Sequence, residues 1–214
     1  MKSFVITIMS NERSVQVADR CIKSGAKYGI DIEKFNAIVP EKHPVAIAEK
    51  LGIPIDGFKE VYSRFENCLA AFLSHYHLWE QCVLDNETYT IFEHDAVVVA
   101  HIPIFKSFKH AMNIGAPSYG KAQTPMILGV NPLTSKRYFP GAHGYMLTPA
   151  GAKMLISKAK TSAAPTDVFM SLQNFPTLQE YYPWAVEARD SFTTIQKQAG
   201  CLAKHSYGET YDII

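Results

Sequence analysis

Residues 67–86, "NCLAAFLSHYHLWEQCVLDN", carry two adjacent apolar stripes: Cys68, Phe72, His75, Trp79 and Cys82, and beside them Leu69, Leu73, Tyr76 and Val83, with Glu80 breaking the second late. Steps of three and four define a long helix with a wide buried face. After Asp85-Asn86 the pattern changes at once to "TYTIF", a β-branched and aromatic run of strand character. A helix delivered straight into a buried strand is the crossover of a parallel sheet, so the chain is constrained to an α/β fold.

The same strand ends in "EHD", and Glu93, His94 and Asp95 stand between "TYTIF" and "AVVV". An unpaired charge buried there would cost several kcal/mol, on the order of what a lost ion pair costs. In open α/β sheets ligands bind beyond the carboxyl ends of the strands, where such acids are repaid by what they hold.

Other segments agree with this architecture. "FVITIM" is a short continuous apolar strand, "SNERSVQVADRCIKSGAKYG" a helix with Ser10 as its expected N-cap, and "IEKFNAIVP" a second strand stopped by Pro40. Beyond Ala100 a helix is expected near Phe105 to Met112, then a Gly/Pro/Ser/Tyr loop from Gly115 to Pro125 and a strand "MILGV". A strand over Gly144 to Leu147 passes through Thr148 as N-cap and Pro149 into a helix ending near Lys160. "TSAAPTDVFM" starts a short helix at Thr166 or Asp167, and "TLQEYYPWAVEARDSFTTIQ" reads as a strand and an irregular tail.

We expect one domain over 1–214, with a nucleotide-sugar-binding half (1–100) and an acceptor-binding half (101–214). Residues 1–95 hold 10 Lys/Arg against 14 Asp/Glu, and residues 96–214 hold 11 against 6, a balance that suits a polyanionic acceptor in the second half. The four cysteines form no CxxC pair, and Cys68 and Cys82 on one helix stand about 21 Å apart at the helical rise, so disulfides are not expected. With no apolar run long enough for a leader or a membrane span, the expectation is a cytoplasmic protein without a transmembrane segment.

Acid-x-acid at a strand end suits Mg²⁺ or Mn²⁺ bound to a nucleotide diphosphate, because hard ions take one or two carboxylates together with phosphate oxygens. Five segments in order then resemble glycosyltransferase family 25, which includes lipooligosaccharide and collagen galactosyltransferases. They are "FVITIMSNERSVQVADRCI", "FNAIVP", "AAFLSHYHLWEQCV" with its Ser-His-x-x-x-Trp pattern, "YTIFEHDAVV", and "GAHGYMLTPAGAKMLI" followed by "PTDVFM" and "SFTTI". Two positions depart from the pattern. His94 replaces the central Asp of the acidic triplet, and Cys68 falls where an acid is usual, with Glu66 and Asn67 as alternatives.

The resemblance implies a GT-A-type fold and metal-assisted transfer of a hexose or pentose from a UDP-sugar to a hydroxyl, with inversion. Asp95 is the expected metal ligand, Glu93 a second ligand or ribose contact, and Asp167 the catalytic base. Arg13, Ser74, His75, His143 and Tyr145 are expected to bind substrate, Arg13 through the diphosphate. Gly141 and Gly144 would allow a close backbone approach to a ligand. The acceptor is a lipopolysaccharide-type glycan or a hydroxymethylated base in nucleic acid, for which "KSFKHAM" and "SKRYFP" would supply phosphate contacts. A degenerate nucleotide-binding module and a nucleotidyltransferase are the other readings.

Overall fold

The structure is a computed structural model that describes residues 1–59, 63–102, 108–189 and 194–195. In chain order its elements are β1 (Lys2–Thr7), α1 (Glu12–Ala26), β2 (Glu33–Asn36), α2 (Pro44–Leu51), α3 (Phe65–Asp85), β3 (Tyr89–Glu93) and β4 (Ala96–Val98). There follow β5 (Ala111–Asn113), β6 (Gly129–Pro132), β7 (Gly144–Leu147), α4 (Pro149–Ala159), α5 (Thr166–Phe169), β8 (Gln179–Tyr182) and β9 (Val186–Ala188).

Seven strands form one sheet in the order β2-β1-β3-β7-β5-β8-β6, while β4 and β9 make a separate antiparallel pair. The pairings β1–β2, β1–β3 and β5–β8 are parallel, and β7 is antiparallel to both β3 and β5. Five of the seven strands therefore run one way, with β7 and β6 reversed. This is an α/β fold whose sheet is mostly parallel in direction and takes strands from both halves of the chain.

Alternation along the strands sorts the core into two layers. Tyr89 and Ile91 of β3, with Tyr145 and Leu147 of β7, join the α3 layer around Phe72, Leu73, Tyr76 and Trp79. Phe92 and Met146, one residue out of step, join the α1 layer with Val5, Ala18 and Cys21. Cys21, Cys68 and Cys82 are buried. Burial pushes the Cys82 thiol up to about 12, so it stays protonated and inert.

Four local expectations are corrected. The turn in which Asn11 N donates to Ile8 O (2.9 Å) places Asn11, not Ser10, at the α1 cap, where its Oδ1 accepts from Ser14 N (3.1 Å). Ala111–Asn113 is a strand rather than the end of a helix, because three consecutive fully covered residues fill the slot between β7 and β8; residues 103–107 lie outside those described. "MILGV" becomes strand only from Gly129, whose φ of 92° breaks the extended run and leaves Met126 to Leu128 outside the sheet. The segment after β8 is not irregular throughout, since Val186–Ala188 pairs with β4. Of "SFTTI", residues 191–193 lie outside the described residues, and the Ile195 carbonyl accepts from Arg64 N (2.8 Å).

Candidate functional site

The rim where β1, β2, β3, β5 and β8 end also carries the start of the reversed strand β7. Glu93, the last residue of β3, lies on the α3 face by alternation with Tyr89 and Ile91, and its backbone N–H donates to His143 O (3.3 Å). His75 of α3 reaches up to it, with Nε2 3.3 Å from Glu93 Oε1. Behind His75 the chain of contacts continues to Tyr145 Oη (2.9 Å from Nδ1), which accepts from Trp79 Nε1 (2.8 Å).

The order of protons in this chain follows from its far end. The Trp79 N–H occupies one lone pair of Tyr145 Oη, and the tyrosine proton, in a fully buried residue, has His75 Nδ1 as its acceptor. His75 thereby carries its own proton on Nε2 and donates it to Glu93. Burial alone would raise the Glu93 carboxyl, but the His75 hydrogen bond and the nearby His143 and His94 outweigh it and hold the group below its usual range. Glu93, with a side chain 32% exposed, stays ionised at the rim.

Asp167, in the first turn of α5, is the opposite case. Burial raises its carboxyl above the ordinary value, and the negative charge of Glu93 adds to that rise, which puts the two carboxylates within electrostatic reach of each other. Tyr119 Oη donates to Asp167 Oδ2, and Val168 N donates to Oδ1 (2.8 Å); both bonds work against the rise. Tyr119 is held in turn by Lys136, whose Nζ donates to the Tyr119 carbonyl and lies 4.0 Å from the ring centroid. The Tyr138 ring stacks beside Tyr119 at 6.4 Å.

Beneath this group Glu180 of β8, fully buried, accepts from Thr134 N (2.6 Å), Thr134 Oγ1 (2.9 Å) and Ser135 N (2.8 Å), fixing the segment that presents Lys136 and Tyr138. Tyr119 and Glu180 were not expected from the sequence, and Lys136 and Tyr138 of "SKRYFP", expected to meet an acceptor's phosphates, instead gather around Tyr119. Glu180 left a trace in the sequence as a lone acid inside the strand "LQEYY".

The other predicted residues divide. His94 follows β3 in the turn and its Nδ1 lies 3.0 Å from Ser14 Oγ, which itself accepts from Ile8 N (2.9 Å), so the turn is tied to the start of α1. Asp95 lies on the α1 side: its carbonyl accepts from Arg189 N (2.9 Å), its Oδ1 is buried, and its charge helps burial push the Cys21 thiol up. Glu93 and Asp95 thus serve opposite faces of the sheet, because the turn at His94 interrupts the alternation. Arg13 sits exposed in the first turn of α1.

Ser74 and Tyr145 are fully buried, and their hydroxyls have protein partners: Ser74 donates to Ala70 O (2.8 Å) and accepts from Ile38 N (2.9 Å). They support the rim instead of presenting a group to a ligand. The glycines also have a different use. A Cβ on Gly141 (φ 136°) would meet His143 Nδ1 at 2.5 Å, one on Gly115 would meet Nε2 at 2.5 Å, and one on Gly144 would meet Val186. Gly141 and Gly115 make the slot for the His143 ring, which is 1% exposed.

Among the described residues no three His, Cys, Asp or Glu side chains converge to form a metal cage. Mg²⁺ and Mn²⁺ held chiefly through a diphosphate need only one or two protein carboxylates, and an ionised, partly exposed Glu93 fits that mode.

Residues 1–114 match the family model described as glycosyltransferase family 25 (LPS biosynthesis protein), a span that contains β1 to β5 and the acidic triplet and stops before Tyr119, His143 and Asp167. No curated protein matches the sequence. Among solved structures the chain is similar to the CTP:phosphocholine cytidylyltransferase LicC from Streptococcus pneumoniae, at 10% identity and a TM-score of 0.38, over 86% of this chain and 91% of that one. A likeness at that score carries no chemistry across.

Proposed function

The chain belongs to glycosyltransferase family 25, and from that membership we propose that it moves a hexose or pentose from a UDP-sugar to a hydroxyl of a glycan acceptor, with inversion at the anomeric carbon. The observation that carries this reading is the pair of carboxylates on one rim, Glu93 held low and Asp167 held high. Environments that push two neighbouring acids apart assign them different tasks.

In this reading Asp167 takes the proton of the acceptor hydroxyl while that oxygen forms its bond to the anomeric carbon; the bond from the sugar to the diphosphate breaks, and UDP leaves with the electron pair. A carboxyl raised by burial is a stronger base than an ordinary aspartate and suits that step. Glu93, kept ionised by His75, faces the donor side, and Arg13 with the first N–H groups of α1 would meet the diphosphate. Mn²⁺ or Mg²⁺, held by Glu93 together with the diphosphate, would supply Lewis-acid stabilisation of the departing diphosphate, whereas Asp95, the expected metal ligand, is turned to the α1 side. His94 lies in the turn between these two carboxylates, tied to Ser14.

A nucleic-acid acceptor gains less support. Of the basic residues that would contact phosphate, Lys136 is turned onto Tyr119, and burial lowers its pKa.

Calorimetry with UDP and Mn²⁺, followed by a donor and acceptor screen, tests the proposal. Binding of UDP that depends on metal and is lost in Glu93→Gln, together with an Asp167→Asn variant that binds UDP but transfers no sugar, is the expected outcome. Undiminished transfer by Asp167→Asn would remove the assigned base.

A further inference from the structure

We propose that the far end of the same rim, where β6 begins and β8 ends, is a docking surface for an anionic lipid bilayer. Met126, Ile127 and Leu128 are consecutive and 100%, 68% and 73% exposed. They are not a loose loop. Pro125 before them is buried, and Asn131 Nδ2 donates to the carbonyls of Ile127 (2.8 Å) and Gly129 (3.0 Å), which fixes the turn that displays them.

The β6–β8 register pairs Gly129 with Tyr182, so this tip stands beside Pro183 and Trp184. Tyr182 and Trp184 are half-buried and in edge-to-face contact (5.2 Å). Aliphatic side chains at the outermost point with Tyr and Trp just behind them reproduce the layering of side chains at a bilayer interface.

Charge selects the kind of surface. From residue 96 to residue 166 the chain has eight Lys/Arg and no Asp or Glu, and the tip lies within that stretch. Lys121 and Arg137 of this stretch are exposed. The acids on the adjoining strands add little, since Glu180 is fully buried and Glu187 is paired with Arg189 (2.7 Å). Such a surface complements anionic headgroups.

Other occupants fit less well. A stable protein interface takes about 20–30 residues a side, far more than this tip offers a second copy. Nucleic acid wants flat rings for its bases, not three aliphatic side chains at the apex. Because β8 runs parallel to β3 in direction, the tip shares a rim with Glu93, about 19 Å away at four strand spacings. Seated on a bilayer by this tip, the rim would face acceptors anchored in that bilayer.

The test is co-sedimentation of the full chain with vesicles of phosphatidylglycerol and phosphatidylethanolamine, which needs no sugar transfer and so is independent of the reading above. Expected are binding that weakens several-fold between low and high salt, little binding to phosphatidylcholine vesicles, and a blue shift in fluorescence from Trp184, because Trp79, the only other tryptophan, is fully buried already. The triple variant Met126→Ser/Ile127→Ser/Leu128→Ser should lose about tenfold or more in vesicle affinity with an unchanged circular dichroism spectrum. Lys121→Glu should weaken binding to anionic vesicles alone. Absence of binding at low salt, equal binding by the triple variant, or a dimer in light scattering that the triple variant abolishes would each overturn the proposal.

Discussion

The two carboxylates on the rim sit in contrasting surroundings. Glu93 ends a central strand and rests on a line of hydrogen bonds through His75 and Tyr145 to Trp79, all within the packed α3 layer. Asp167 lies in the first turn of a four-residue helix and is held by Tyr119 and by its neighbour's N–H, with Lys136 behind. Three histidines hold the first acid ionised against burial, whereas burial and the first acid's own charge raise the second. The contrast teaches that one site can keep one carboxyl low and another raised within electrostatic reach, provided that they are supported by different elements.

The strongest way to break the contrast is Asp167→Asn. It should lower kcat by about 10²–10⁴-fold with donor KM little changed, as measured by transfer from a labelled sugar nucleotide. A loss confined to KM would mean that Asp167 binds instead of accepting the proton.

Gly141→Ala attacks the Glu93 side through His143. The new Cβ would lie 2.5 Å from the imidazole at a φ of 136°, so roughly 2–4 kcal/mol of stability should be lost in a denaturant titration. Gly29→Ala has the same backbone difficulty (φ 73°) but nothing within 4 Å, and should cost less.

His75→Phe keeps the packing and cuts the relay. The Tyr145 proton and Glu93 both lose a partner, which should cost about 1–3 kcal/mol. It should also change the acid limb of stability. A carboxyl whose folded pKa is depressed contributes stability above its unfolded pKa and loses it as pH falls through the folded value. With the depression reduced, acid unfolding should begin at a higher pH, as followed by circular dichroism.

Tyr119→Phe should have the smallest effect. The hydroxyl lowers the Asp167 pKa, so its removal raises that pKa further. A base must be unprotonated to act, hence the acid limb of the kcat/KM profile should move to higher pH, with a few-fold loss at neutrality. An unmoved limb would separate Tyr119 from the proton transfer.

Much of this arrangement was legible in residues 67–99. Two adjacent apolar stripes fix α3, and a β-branched run ending in acids fixes both β3 and the edge at which its acids stand. Those are local signals, carried by residues three, four or two apart. Asp167 could be read as a helix-start acid but not as a raised one, because the rise comes from its burial in the packed structure and from the charge of Glu93, which is distant in the sequence.

Ser74, His75 and Tyr145 shared one expectation, contact with substrate. Which of them touch the rim acid depends on strand order, and nothing in a strand's own residues encodes its neighbour. The sequence by itself determined the alternation of helices and strands, the buried faces, and the strand-end acids, since burial periodicity follows directly from backbone geometry. Only the tertiary structure decided that reversed β7 lies between β3 and β5, that the turn at His94 sends Glu93 and Asp95 to opposite faces, and that the charge of Glu93 reaches Asp167. Those outcomes rest on contacts between residues distant along the chain, whose energies appear only once the layers have packed.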